Sequence, residues 1–101
     1  MAEIQISAKA ENDLKKIRKW YEIQEPGLGE KFINHVELTL QNISDFPEIG
    51  KIYFKSIRKL IIRKFPFIFY YRYEKTTIRI IACYHSKRDP DFIENELNGL
   101  Q

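Results

Sequence analysis

The chain is poor in the residues that define disulfide-built or metal-built proteins. Cys83 is its only cysteine, and only His35 and His85 could join it as metal ligands. One thiol cannot close a bridge within the chain, and one Cys with two His lacks the spacing of a zinc site. No metal or cofactor is expected. Long apolar runs are also missing. No window approaches the roughly 20 apolar residues of a membrane span, and the opening MAEIQISAKAEN lacks the apolar core of a signal peptide. A reducing, cytoplasmic location with no membrane contact is therefore expected. Nothing repetitive or linker-like interrupts the 101 residues, so a single domain over 1–101 is expected, large enough for one modest core.

Aromatics are plentiful, with seven Phe and six Tyr against one Trp. A small domain gains from them because each buries a large area. Charge is unevenly spread. Residues 1–50 hold six Lys/Arg against nine acids, whereas residues 51–88 hold eleven against one, Glu74. So basic a stretch suggests an anionic partner, either nucleic acid or an acidic polypeptide, with a solvated basic face as the plain alternative.

The alternation in residues 3–6 (EIQI) reads as a first strand. Ser7 is a good N-cap, and Ala10, Leu14, Ile17 and Tyr21 then follow at the spacing of one helix face. Pro26-Gly27-Leu28-Gly29 breaks this helix, predicted over 8–25. Leu28, Phe32, Val36, Leu40 and Ile43 stripe a second helix over 29–44, stopped by Phe46-Pro47-Glu48-Ile49-Gly50. Two amphipathic helices joined by so short a turn should form an antiparallel hairpin. Three strands rich in β-branched and aromatic residues follow, over 57–63, 67–73 and 78–84. Phe65-Pro66-Phe67 suggests an edge strand, where a missing N–H is harmless. Asp89-Pro90 suggests the cap and first position of a short C-terminal helix, with Phe92, Ile93 and Leu97 as its contacts and Arg88 paired to Asp89.

A symmetric turn over residues 74–77 would set Tyr73 opposite Ile78 and Arg72 opposite Arg79. Arg72, Tyr70, Ile68, Arg79, Ile81 and Cys83 would then share an open face. Phe67, Phe69, Tyr71, Tyr73, Ile78, Ile80 and Ala82 would face the helices. Two arginines side by side repel, which makes sense on a face that meets an anion. Cys83 reads as inert packing.

The order β-α-α-β-β-β, a helical hairpin followed by a basic meander, resembles the RelE/ParE superfamily of type II toxin–antitoxin toxins. The residues that carry the likeness are Pro26-Gly27-Leu28-Gly29-Glu30 with Phe32; Phe46-Pro47-Glu48-Ile49-Gly50 leading into Ile57-Arg58; Arg63-Lys64-Phe65-Pro66-Phe67 continuing to Tyr70-Tyr71-Arg72; and His85-Ser86-Lys87-Arg88-Asp89-Pro90. They are similar to the plasmid-stabilisation, ParE-like branch and span nearly the whole chain in order. The resemblance implies an α+β, two-layer fold with the helical hairpin on a small antiparallel sheet. It also implies a cognate antitoxin as partner. Self-association is left open.

The superfamily divides by target. A ParE-like member would poison DNA gyrase by binding, with no catalytic group. A RelE- or YoeB-like member would be a metal-independent mRNA endoribonuclease on the ribosome, and here Arg58, Arg63, His85 and Arg88 would be its catalytic candidates. That chemistry needs placed acid–base groups and cations. The nuclease branch usually carries a Tyr or His after the last strand, and this chain has none after Arg88. Gyrase poisoning is therefore expected first, message cleavage second, and a degenerate member that only binds its antitoxin third. Arg58, Arg63, Arg72 and Arg79 are the expected contacts to antitoxin or target. His85 is also readable as a structural residue bonding a nearby carbonyl.

Overall fold

A computed structural model describes residues 2–100. Strand β1 (Glu3–Ile6) leads into helix α1 (Ala8–Gln24) through Ser7. The Ser7 hydroxyl accepts the Ala10 N–H at 3.0 Å, and donates to the Ile81 carbonyl at 2.8 Å. One side chain thus caps the helix and ties it to the sheet. At the far end of α1 the Glu22 carboxylate accepts the N–H groups of Gly27 and Gly29. Gly27 turns with φ +89°, a conformation that favours glycine. A Cβ on Gly29 would lie 2.8 Å from the Arg18 carbonyl, so only glycine lets helix α2 (Leu28–Asp45) start this close to α1.

The sheet runs in the order β1-β5-β4-β3-β2, with β2 Lys51–Phe54, β3 Ile57–Ile61, β4 Phe67–Glu74 and β5 Thr77–His85. Its pairs are antiparallel except β1 with β5, which is parallel because the helical hairpin carries the chain back to the sheet. Strand β2 is not evident in the sequence. It is a four-residue edge strand, and its outward Lys51 and exposed Ile52 break the alternation expected of a buried strand. β3 ends sooner than its β-branched run suggests, since Lys64 turns through φ +70° and the Ile62 N–H bonds the Phe67 carbonyl. β4 is interior rather than an edge. Pro66 lies just before it, and its carbonyl accepts from Ser86.

Both faces of the sheet are covered, one wholly and one in part. The helical hairpin buries Ala10, Leu14, Phe32, Val36 and Ile43 against Phe69, Tyr71, Ile78, Ile80 and Cys83. On the opposite face helix α3 (Pro90–Leu100) buries Ile93 and Leu97 against Ile57, Tyr70, Ile81, Ala82 and Tyr84. The expected open face is thus half occupied.

The expected register holds at the turn, where Tyr73 pairs with Ile78 and Arg72 with Arg79. It then shifts. Tyr71 pairs with Ile80 but Tyr70 with Ala82, so β5 holds one extra residue there. A one-residue bulge reverses the facing of everything beyond it. Cys83, expected on the open face, therefore packs under the helices, and Ala82 moves to the α3 side.

Candidate functional site

Arg58 stands opposite Tyr71 and points to the helix side of the sheet. Its guanidinium donates to the carbonyls of Gly50 at 2.8 Å and Glu48 at 3.2 Å, and pairs with the Glu48 carboxylate at 3.4 Å. The Tyr71 hydroxyl holds the same loop, donating to the Pro47 carbonyl and accepting from the Gly50 N–H, each at 2.9 Å. The Phe46-Pro47-Glu48-Ile49-Gly50 segment, readable as a helix stop, is thus clamped at two backbone groups by Tyr71 and at two by Arg58. Tyr71 has no signal in the sequence beyond being an aromatic in a strand.

Arg63 is exposed in the β3–β4 loop. That loop meets the end of β5, where Phe67 pairs with His85 and the Pro66 carbonyl accepts the Ser86 N–H. His85 stacks edge-on to Phe67, and its Nδ1 accepts the Lys87 N–H at 3.0 Å. The imidazole therefore bonds an N–H and not the carbonyl expected from sequence. Arg88 lies over the Phe92 ring at 3.9 Å, and does not pair with Asp89 as expected. Asp89 instead opens α3, accepting from Asp91 through its side chain and from Ile93 through its carbonyl. Arg63, His85 and Arg88 thus share one end of the sheet, while Arg58 is committed elsewhere.

Arg72 and Arg79 stand side by side on the α3 side of the sheet, beyond the part that α3 covers. Gln5 pairs with Arg79 across the β1–β5 ladder and completes a row. With Glu74, Lys75, Thr76 and Thr77 they line an open cleft of about 380 Å³. Arg72 pairs with Glu74, and its Nε is buried without a hydrogen-bond partner among the described residues. The basic stretch of sequence is therefore divided in space into a structural clamp at Arg58, a loop at Arg63 and a cleft at Arg72 and Arg79.

Among the described residues no three His, Cys, Asp or Glu side chains gather as metal ligands would, and no helix is long and apolar enough to cross a membrane. Residues 4–90 match the family model described as ParE toxin of type II toxin-antitoxin system, parDE. The chain belongs to the ParE toxin family. The match takes in the helical hairpin, the whole meander and the start of α3. A search of curated protein sequences finds no match. Among solved structures, the chromosomal ParDE toxin–antitoxin system of P. aeruginosa superposes with a TM-score of 0.67 at 19% identity, over 86% of this chain and 98% of that one. The isolated E. coli RelE toxin superposes with a TM-score of 0.64 at 14% identity, over 99% of this chain and all of that one. At such identities the likeness speaks for the fold, which this ParE-family chain shares with both.

Proposed function

We propose that this chain is the single-domain, cytoplasmic toxin of a type II toxin–antitoxin pair, held inactive by a cognate antitoxin, and that it arrests growth by binding and trapping DNA gyrase. The match to the ParE toxin family over residues 4–90 carries the reading. The geometry of the cationic residues supports trapping over cleavage. Metal-free cleavage of an RNA phosphodiester asks several acid–base groups to converge on one phosphate, each contributing about 10²–10⁴-fold. Here Arg58 is engaged with loop carbonyls, Arg88 lies on Phe92, and His85 Nδ1 is occupied by a backbone N–H. A binding poison requires only a shaped, charged surface, for which Arg63, Arg72 and Arg79 are the proposed contacts to antitoxin or target.

Message cleavage keeps one point in its favour, since Arg63, His85 and Arg88 sit at the same end of the sheet. Induction in a host, followed by primer extension on its transcripts and assay of the DNA-damage response, separates the two. The expected outcome is a DNA-damage response with transcripts intact, and accumulation of gyrase–DNA cleavage complexes with purified components. Transcript cuts that vanish on His85→Ala or Arg88→Ala would replace gyrase with the ribosome-bound message as target. Unimpeded growth would leave a member that only binds its antitoxin.

A further inference from the structure

We infer that the cleft between Arg72 and Arg79 is a receptor for paired carboxylates of an acidic peptide segment, and that Glu74 is its internal stand-in. The placement rests on four observations. The two arginines are directly opposite each other on neighbouring strands, an arrangement of like charges that an anion between them would relieve. Glu74 supplies one carboxylate to Arg72, while Arg79 is exposed and enters no ion pair among the described residues. The Arg72 Nε has no acceptor, so Glu74 satisfies only part of a fork built for two parallel bonds. Finally, β1 is an edge strand beside the cleft, and Gln5, Lys75 and Thr77 add donors around its rim.

The surroundings favour a peptide over nucleic acid. A phosphate backbone needs a continuous cationic track. Around the cleft that track is interrupted. Glu3 bonds Gln5 on one side and Glu74 stands within, while farther along the same side of the sheet α3 carries Asp91, Glu94 and Glu96. Glu94 and Glu96 reach Tyr53 and Tyr84 of the sheet itself. A local pair of cations with Glu3 and Glu74 beside it accommodates a few discrete carboxylates and offers no continuous track to a phosphate backbone. A carboxylate arriving side-on would displace Glu74 and satisfy Nε and the terminal nitrogen of Arg72 together, and a second would engage Arg79.

The assignment of that segment to the antitoxin rests on the proposed function; the chemistry of the cleft does not. Fluorescence anisotropy of labelled hexaglutamate, with labelled hexathymidylate as the competing class, tests the cleft on the purified chain. Hexaglutamate should bind in a salt-sensitive manner and more tightly than hexathymidylate. Arg79→Gln and Arg72→Gln should each weaken it by about tenfold, as expected for loss of a charge-assisted bond. Glu74→Gln should tighten it by about two- to fivefold, and Lys16→Gln, on the far side in α1, should leave it unchanged. Thermal melts confirm that each variant is folded. No binding of hexaglutamate, equal or better binding of hexathymidylate, or indifference to both arginine variants would overturn the inference. Growth arrest and its relief by the product of the adjacent gene are read separately. An Arg79→Gln chain that still arrests growth but escapes relief supports the antitoxin as owner of the segment, and unaltered relief refutes that ownership. A wild-type chain that causes no arrest fails the toxin reading, and the anisotropy alone then decides the cleft.

Discussion

Arg58 and Arg79 look alike in the sequence and differ in the structure. Arg58 holds two carbonyls and a carboxylate of the loop that joins α2 to β2, whereas Arg79 is exposed. Arg58→Ala should lower stability by about 1–3 kcal/mol, because carbonyls and a carboxylate lose a charged donor. Arg79→Ala should stay within about 0.5 kcal/mol. Tyr71→Phe should cost about as much as Arg58→Ala or more, since it strands the buried Gly50 N–H and Pro47 carbonyl together. Gly50→Ala should be worse still, as its Cβ would sit 2.7 Å from the Tyr71 hydroxyl. Urea midpoints for the four variants check the order, and an Arg79→Ala chain as unstable as Arg58→Ala would refute it. None of these roles was legible from sequence. Each depends on which loop comes to rest against the face of β3 and β4.

The elements carry a second lesson in the bulge of β5. The extra residue near Ile81 leaves a carbonyl and an N–H out of the ladder, and α1 supplies their partners. Ser7 donates to the Ile81 carbonyl, and the Asp13 carboxylate accepts the Cys83 N–H at 3.1 Å. Lys9 holds Asp13 in place at 2.5 Å, one helical turn away. Asp13→Ala should therefore lower stability by about 1–3 kcal/mol, with the Cys83 N–H left unpaired. Burial first, and then the Asp13 charge, push the Cys83 thiol well above its usual range. The folded chain should accordingly resist an aromatic disulfide reagent at neutral pH and react fully in urea. Asp13→Ala should speed labelling in the absence of urea. Equal labelling rates for the two chains would detach Asp13 from the bulge. The helices and the β4–β5 hairpin were readable from periodicity, down to the Arg72–Arg79 pairing. The bulge was not, because its stabilising groups lie about 70 residues away in sequence.

At the scale of the whole molecule, aromatic density becomes a pH dependence. Burial, with smaller contributions from Tyr53, Cys83 and Tyr84, pushes the Tyr70 phenol up to about 12. Burial likewise raises Tyr21, Tyr53, Tyr71 and Tyr84 above the ordinary phenol value of 10.0, although Gly50 and Arg58 moderate Tyr71, and Lys9 moderates Tyr84. These groups lose their protons more readily when unfolded than when folded. Their contribution is fully present below pH 10 and is lost as pH rises through about 12. Urea midpoints should thus fall steeply between pH 10 and 12 and vary little between pH 7 and 9 from this source. Tyr70→Phe should flatten part of the alkaline fall. An unchanged profile in that variant would remove Tyr70 from the account.

What the sequence by itself determined follows from periodicity and local chemistry. Ser7, the Pro26-Gly27-Leu28-Gly29 turn and the apolar stripes specify two helices because caps and 3.6-residue spacing act over a single turn. The aromatic, β-branched runs specify strands for the same local reason, and Asp89-Pro90 starts α3. The order of these pieces was enough to point to the family. Only the tertiary structure decided which face each residue meets. Parity along β5 depends on one inserted residue held by Ser7 and Asp13, and the fate of each arginine depends on neighbours brought from elsewhere. Charge counted along a chain carries no direction. Packing supplied it, turning one basic stretch into a clamp at Arg58, a loop at Arg63 and an open cleft at Arg72 and Arg79.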